Sequence, residues 1–205
     1  MTISVIIATY GDDAWRTMAL DRAFPSLAGQ EIALPFVLHH DPWGTRATSL
    51  KDGAQRAEGD WLLFLDADDK LAPGYVGAMR RAIEQHAAGQ QVLLTPATQW
   101  IRGGRPAPPG FQKEVPLERG NWLVIGTLIR RDLFMQIGGF HEHPHGLEDW
   151  NLWARAVRAG ARIVKVPDAV YIAHVNPQSK HHVEFRRNRR GYWAAYEEAR
   201  VDAWG

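Results

Sequence analysis

The chain has 205 residues, 45% of them hydrophobic, and its 24 basic and 23 acidic side chains leave a formal net charge of +1. That length supports one domain with a sizeable core, the composition argues against disorder, and near neutrality does not call for a polyanionic partner. The absence of cysteine excludes a disulfide framework, zinc-thiolate centres and thiol catalysis.

Residues 3–9, ISVIIAT, form a continuous β-branched run that predicts a strand buried on both faces. Residues 11–27 have helical spacing, with Trp15, Met18 and Leu20 to Phe24 tending to one side. A second strand follows at 34–40, LPFVLHH, and a helix at 48–59 ended by Gly59. The third strand is WLLFL, 61–65, and the next helix runs from Pro73 to Gly89. QVLLTPATQW, 91–100, reads as a fourth strand. This alternation predicts an α/β fold, Rossmann-like, with a mostly parallel sheet and helices on both faces.

The second half is less regular. Residues 102–113, rich in Gly and Pro, predict a loop over the site, and 121–140 combine strand-like runs with a short helix closed by Gly138 and Gly139. LEDWNLWARAVRAG, 147–160, reads as an amphipathic helix with Leu152, Ala156 and Val157 inward. ARIVKV and AVYIAH predict two more short strands, and 184–204 a final helix. The whole is expected to be a single domain: about 1–100 a ligand-binding half, about 101–178 a smaller subregion with a different role, and about 179–205 a helix or tail. The first residues lack a basic leader and no stretch is long enough to span a bilayer, so a cytoplasmic protein is expected.

In open α/β sheets, ligands bind beyond the carboxyl ends of the strands. Polar clusters fall there: Thr9-Tyr10-Gly11-Asp12, His39-His40-Asp41, Asp66-Ala67-Asp68-Asp69 and His174. Three carboxylates within four positions repel unless water, donors or a cation neutralise them. Their hard oxygens suit Mg2+ or Mn2+, which keep waters and bridge to substrate phosphates. The competing reading of the Asp cluster is helix capping, and of Glu148-Asp149 it is first-turn charge complementing a helix dipole. Nine tryptophans are mostly core anchors, but Trp43, Trp122 and Trp150 lie near polar clusters and have rings suited to stacking on sugars or bases.

Three segments in register carry a resemblance: SVIIATYGD, GDWLLFLDADDKLAPGY, and FMQIGGFHEHPHGLEDWNLWARAVRAGARIVKVP. Over about Ile3 to His174 the chain resembles family-2 glycosyltransferases of the nucleotide-sugar-dependent GT-A fold. The resemblance implies an inverting, divalent-metal-dependent enzyme that moves a sugar from a nucleoside-diphosphate sugar, UDP- or GDP-linked, to an acceptor hydroxyl. It implies Asp68 and His174 as ligands for Mn2+ or Mg2+, and Thr9, Tyr10, Asp41, Asp66 and Asp69 as contacts to the sugar nucleotide. It implies Asp149 as the general base, with Glu148 and Trp150 at the acceptor. Two positions depart from the family pattern. His39-His40-Asp41 replaces a pair of adjacent acids, and Leu50-Lys51 stands where an Arg-Asn pair is common, with Arg46 nearby as a substitute.

The rival readings are a non-catalytic glycan- or nucleotide-binding module on the same fold, and a metal-dependent phosphatase or nucleotidyltransferase. The basic run at 180–190 reads as a solvated helix face, with a nucleic acid or membrane surface as the alternative partner. An oligomer completing the acceptor site is compatible with the modest length.

Overall fold

The computed structural model describes residues 1–30, 35–143, 146–175 and 188–205. His145, Leu34 and most of the basic run at 180–190 lie outside the described residues.

Strand β1 (Ile3–Tyr10) is the centre of the first sheet. It pairs in parallel with β2 (Phe36–Asp41) on one side and β3 (Trp61–Phe64) on the other, and β3 pairs antiparallel with β7 (Ile129–Arg130). Flanked on both edges and covered on both faces, β1 buries Ile3, Val5, Ile6 and Ile7 almost completely, which is why its sequence shows no polar alternation. The second sheet has the order β4-β8-β5-β6, with β4 (Lys70–Leu71), β5 (Val92–Arg102), β6 (Arg105–Pro106) and β8 (Arg162–His174). Leu94 and Leu128 exchange backbone hydrogen bonds of 3.1 and 2.9 Å, bringing β5 alongside the segment that leads into β7.

The expected α/β architecture is present, but the strands divide between two four-stranded sheets. Two local expectations are corrected. ARIVKV and AVYIAH are one strand, β8, whose pairing with β5 shifts register between Pro96 and Ala97. The shift moves the partner of β5 from Val166 to Val170; the extra residues around Pro167 bulge out, because proline has no N–H for the ladder. The helix expected at 11–27 is three pieces: α1 (Asp13–Met18), a π-helical turn (Ala19–Ala23) and α2 (Pro25–Ala28). Pro25 supplies no N–H, and the Phe24 N–H instead reaches the Ala19 carbonyl at 2.8 Å.

Helix α3 (Arg46–Gln55) starts earlier than expected, because Thr45 and Thr48 form a reciprocal cap at its N-terminus. After β3 the chain turns through Asp66–Asp69 and enters β4, so the acidic turn is the crossing point from the first sheet to the second. Helix α4 (Tyr75–His86) follows. Residues 121–128 form no regular strand, and α5 (Arg131–Gln136) is the short helix closed by Gly138 and Gly139 at positive φ.

Helix α6 (Glu148–Arg158) is buried nearly all round, with Leu152 and Ala156 inward as expected and Val157 half-buried. Its outer side is covered by α7 (Arg189–Trp204), which packs through Ala195, Ala199 and Ala203. Around this contact Asp202 accepts from Asn151 at 2.8 Å and pairs with His141 at 2.6 Å. Arg155 donates to Asn151 and to the carbonyls of Ile137 and Gly139. The latch ties α6, α7 and the Gly138-Gly139 turn into one wall. Among the described residues, no helix is long and apolar enough to cross a membrane.

Gly126 lies directly against the ring of buried Tyr171, and its carbonyl accepts from the Tyr75 hydroxyl at 2.5 Å. A Cβ at this position would overlap the Tyr171 ring. Gly126→Ala is expected to destabilise the protein by about 2 kcal/mol through overpacking, read as a lower urea midpoint with unchanged slope.

Candidate active-site cleft

The carboxyl ends of β1, β3 and β8 open on one cleft of about 900 Å³, near the upper end of the size range of small-molecule sites. Thr9, Tyr10, Arg46, Asp66, Asp68, Asp69, Glu148, Asp149, Trp150 and His174 all line it.

The three carboxylates of the acidic turn meet different environments. Asp66 faces Arg46, whose Nη2 donates to both carboxylate oxygens at 3.0 Å. Asp69 is buried and accepts from the His174 backbone N–H at 2.7 Å. The Tyr171 hydroxyl lies beneath the turn, accepting from the Asp66 N–H at 3.3 Å and hydrogen-bonding to the Asp69 side chain. Burial first, then the charges of Asp68 and Asp66, push the Asp69 carboxyl well above the usual range. No side chain among the described residues bonds the Asp68 carboxylate; burial and Asp66 push it up to about 6, against Arg22 and Arg46. Arg22, from the π-helical turn, donates instead to the Asp68 carbonyl at 3.0 Å. Two of the three acids are therefore committed to the fold, and Asp68 is the one left open.

Arg46 has a second partner. Its Nη1 lies 3.7 Å from Glu148 Oε2, across the cleft from Asp66. Flanked by Asp66, Glu148 and Asp149, the guanidinium stays charged despite burial, its pKa held above the ordinary value. Glu148 and Asp149 open α6 without a side-chain cap, and the Asp149 Oδ1 accepts from the Trp150 N–H at 2.8 Å. Burial raises the Asp149 carboxyl and Arg46 opposes the shift.

A divalent cation fits the chemistry of this donor set. Mg2+ typically takes one or two carboxylates plus phosphate and water oxygens rather than a complete protein cage, and Asp68 offers the open hard oxygen. The His174 Nδ1 is buried without a hydrogen bond among the described residues, 3.9 Å from Asp69. Burial, Arg22 and Lys70 hold the ring below its ordinary pKa and so in the neutral form that ligates metals. Among the described residues no three acidic or histidine side chains form a ready-made cage.

Some expected residues do less. Asp41 does not line the cleft; its Oδ1 caps the Trp43 N–H at 2.9 Å. Trp43 is 94% exposed and lies outside the cleft, and Trp122 is buried under Lys165. Thr9 is buried with its hydroxyl 2.9 Å from the His40 ring. The cleft is also lined by Trp15, Trp100, Asn121, Tyr192 and Tyr196, none of which the sequence marks as a ligand residue. The last two stand four apart on α7, a spacing that marks one helix face.

A family model described as "Glycosyltransferase like family 2" matches residues 34–194. The chain belongs to this family. A curated relative from Haemophilus influenzae, an uncharacterized glycosyltransferase, is 29% identical over 117 residues, 51% of this chain and 38% of that protein. Among solved structures, S. aureus TarS 1-349 in complex with UDP-GlcNAc superposes with a TM-score of 0.74 at 18% identity, covering 98% of this chain and 66% of that one. The complex with UDP gives 0.68 at 20% identity, covering 98% and 65%. These similarities establish the GT-A fold, and this glycosyltransferase-family chain spans 38% of the Haemophilus relative and about two thirds of the S. aureus chains.

Removing Arg46 would leave Asp66 and Glu148 facing each other in a site where their side chains are 30% and 7% exposed. Arg46→Met is expected to lower unfolding free energy by about 3 kcal/mol, the usual scale for orphaning a buried charge. Adding Asp66→Asn should recover part of that loss, since one of the two orphaned charges disappears. A double-mutant cycle by denaturant unfolding measures both.

Proposed function

We propose that the chain is an inverting glycosyltransferase that moves one sugar from a nucleoside-diphosphate sugar to an acceptor hydroxyl. The observation that carries this reading is a single cleft with one open carboxylate, Asp68, on the acidic turn and a second, Asp149, at the head of α6. Arg46 bridges the two sides through Asp66 and Glu148. As the acceptor oxygen attacks the anomeric carbon, its proton passes to Asp149. The new C–O bond forms on the face opposite the bond to the diphosphate, which breaks with its electron pair as the nucleoside diphosphate leaves.

Asp68, with the His174 ring, would hold Mn2+ or Mg2+ against the donor diphosphate; when bound, the cation supplies positive charge to the leaving group. Thr9 and Tyr10 line the nucleoside side, Asp66 and Asp69 support the turn near the sugar, and Glu148 with Trp150 borders the acceptor. Because S. aureus TarS was solved with UDP and with UDP-GlcNAc, uridine nucleotides are the first donors to test.

Calorimetric titration with UDP and UDP-sugars, then with guanosine counterparts, is expected to show binding in Mn2+ that chelator abolishes and Asp68→Ala weakens. Binding that ignores the metal would remove the role given to Asp68. Asp149→Asn should keep nucleotide binding and lower transfer by about 10²–10⁴-fold, the usual worth of a positioned base. Undiminished turnover in that variant would exclude Asp149 as the base.

The pH profile gives a separate check. A base works in its ionised form, so transfer should fall as pH drops through the Asp149 pKa, which burial holds above the ordinary carboxylate range. Arg46 opposes that rise, so Arg46→Met should move the acid limb of kcat/KM to higher pH.

A further inference from the structure

The acceptor side of the cleft carries a group of rings that the transfer chemistry does not use. Tyr192 and Tyr196 project from one face of α7 into the cleft that holds Asp149. Trp150, the residue after Asp149, stacks on Tyr196 with centroids 4.3 Å apart and planes 18° from parallel. Its Nε1 donates to the Leu117 carbonyl at 2.7 Å, which fixes the indole in place. Trp193 meets both tyrosines edge-on, at 5.7 and 5.4 Å. The result is a rigid aromatic ledge beside the candidate base, with the amide of Asn121 on the same cleft.

We propose that the half-buried Tyr192 and Tyr196, with the buried Trp150 as the support behind Tyr196, form a subsite for the pyranose ring of a saccharide acceptor, so that the hydroxyl receiving the sugar is itself carried by a glycoside. The assignment rests on the transferase reading above and names its second substrate class. A pyranose has an apolar C–H face and a rim of hydroxyls, which suits a flat ring surface edged by polar groups. Charge discriminates against the alternatives. Among the described residues lining the cleft, Arg46 is the only lysine or arginine, and Asp66 and Glu148 already hold it. Among those described residues a phosphorylated polyol would find no uncommitted cation, whereas a neutral glycoside needs none. The ledge also lies beside Asp149: both tyrosines line the cleft that holds this carboxylate, and Trp150, the next residue in the chain, stacks on Tyr196. A sugar laid on these rings therefore places its hydroxyls next to the proton acceptor.

The test uses the intact chain and the nucleotide sugar identified by calorimetry, and measures nucleoside diphosphate release. Methyl glycosides of glucose, galactose and N-acetylglucosamine are compared with glycerol and with glycerol phosphate. At least one glycoside is expected to accelerate release above the rate in water alone, and the phosphate and glycerol are not. Tyr192→Ala should raise KM for that glycoside about tenfold, the scale of one lost ring contact, with the loss falling on KM rather than kcat. Tyr192→Phe should restore most of it. Donor turnover that no glycoside accelerates, acceleration by glycerol phosphate in place of glycosides, or a Tyr192→Ala loss confined to kcat would each overturn the subsite. Failure to bind any nucleotide sugar would instead overturn the transferase reading, and the subsite with it.

Discussion

Arg46 stands between two carboxylates that reach it from distant parts of the chain. Asp66 arrives from the end of β3 and Glu148 from the start of α6, so the guanidinium sits where the two sides of the cleft would otherwise repel. Its planar fork can hold one carboxylate with one nitrogen and meet a second with the other, which a lysine ammonium cannot reproduce with fixed direction. The arginine is itself placed by the Thr45–Thr48 cap that starts α3. The geometry of the site thus follows from a backbone event one residue away from it.

The acidic turn shows the same economy. It is where the chain leaves one sheet for the other, between β3 and β4, and a turn of that kind leaves backbone groups that need partners. Asp69 answers part of that need by accepting from the His174 N–H, while the Tyr171 hydroxyl accepts from the Asp66 N–H. The second sheet is thereby fastened to the first by residues that also shape the cleft. Asp68 is left over from this arrangement with a perturbed carboxyl, the pattern expected where charge is reserved for a ligand rather than for stability.

Much of this was legible in the sequence because the signals were local. The apolar run of β1, the cluster after β3 and the Glu-Asp head of α6 each sit within a few residues, and the residues that end β1 line one cleft with the other two. What was not legible depended on partners distant in sequence. The split into two sheets turns on antiparallel pairings of the two-residue strands β4 and β7, too short to leave a periodicity. The unity of β8 is hidden by Pro167, which reads as a break but is absorbed as a bulge. Asp41 was expected at the ligand and spends its carboxylate on the turn at Trp43 instead, because an Asp can always find a nearby backbone N–H. Arg46 stood out only as a stand-in for a missing arginine, and its second partner, Glu148, lies about a hundred residues away.

Helix α7 separates two tasks by face. Its alanines at 195, 199 and 203 meet α6, and Asp202 joins the latch to His141 and Asn151. Tyr192 and Tyr196 look into the cleft. Tyr196 also stacks on Trp150 of α6, so Tyr192 is the position at which the helix can drift in what it recognises while its alanine seam stays constant. Ligand preference in such a design is free to diversify between relatives without each change having to be rescued by a new core.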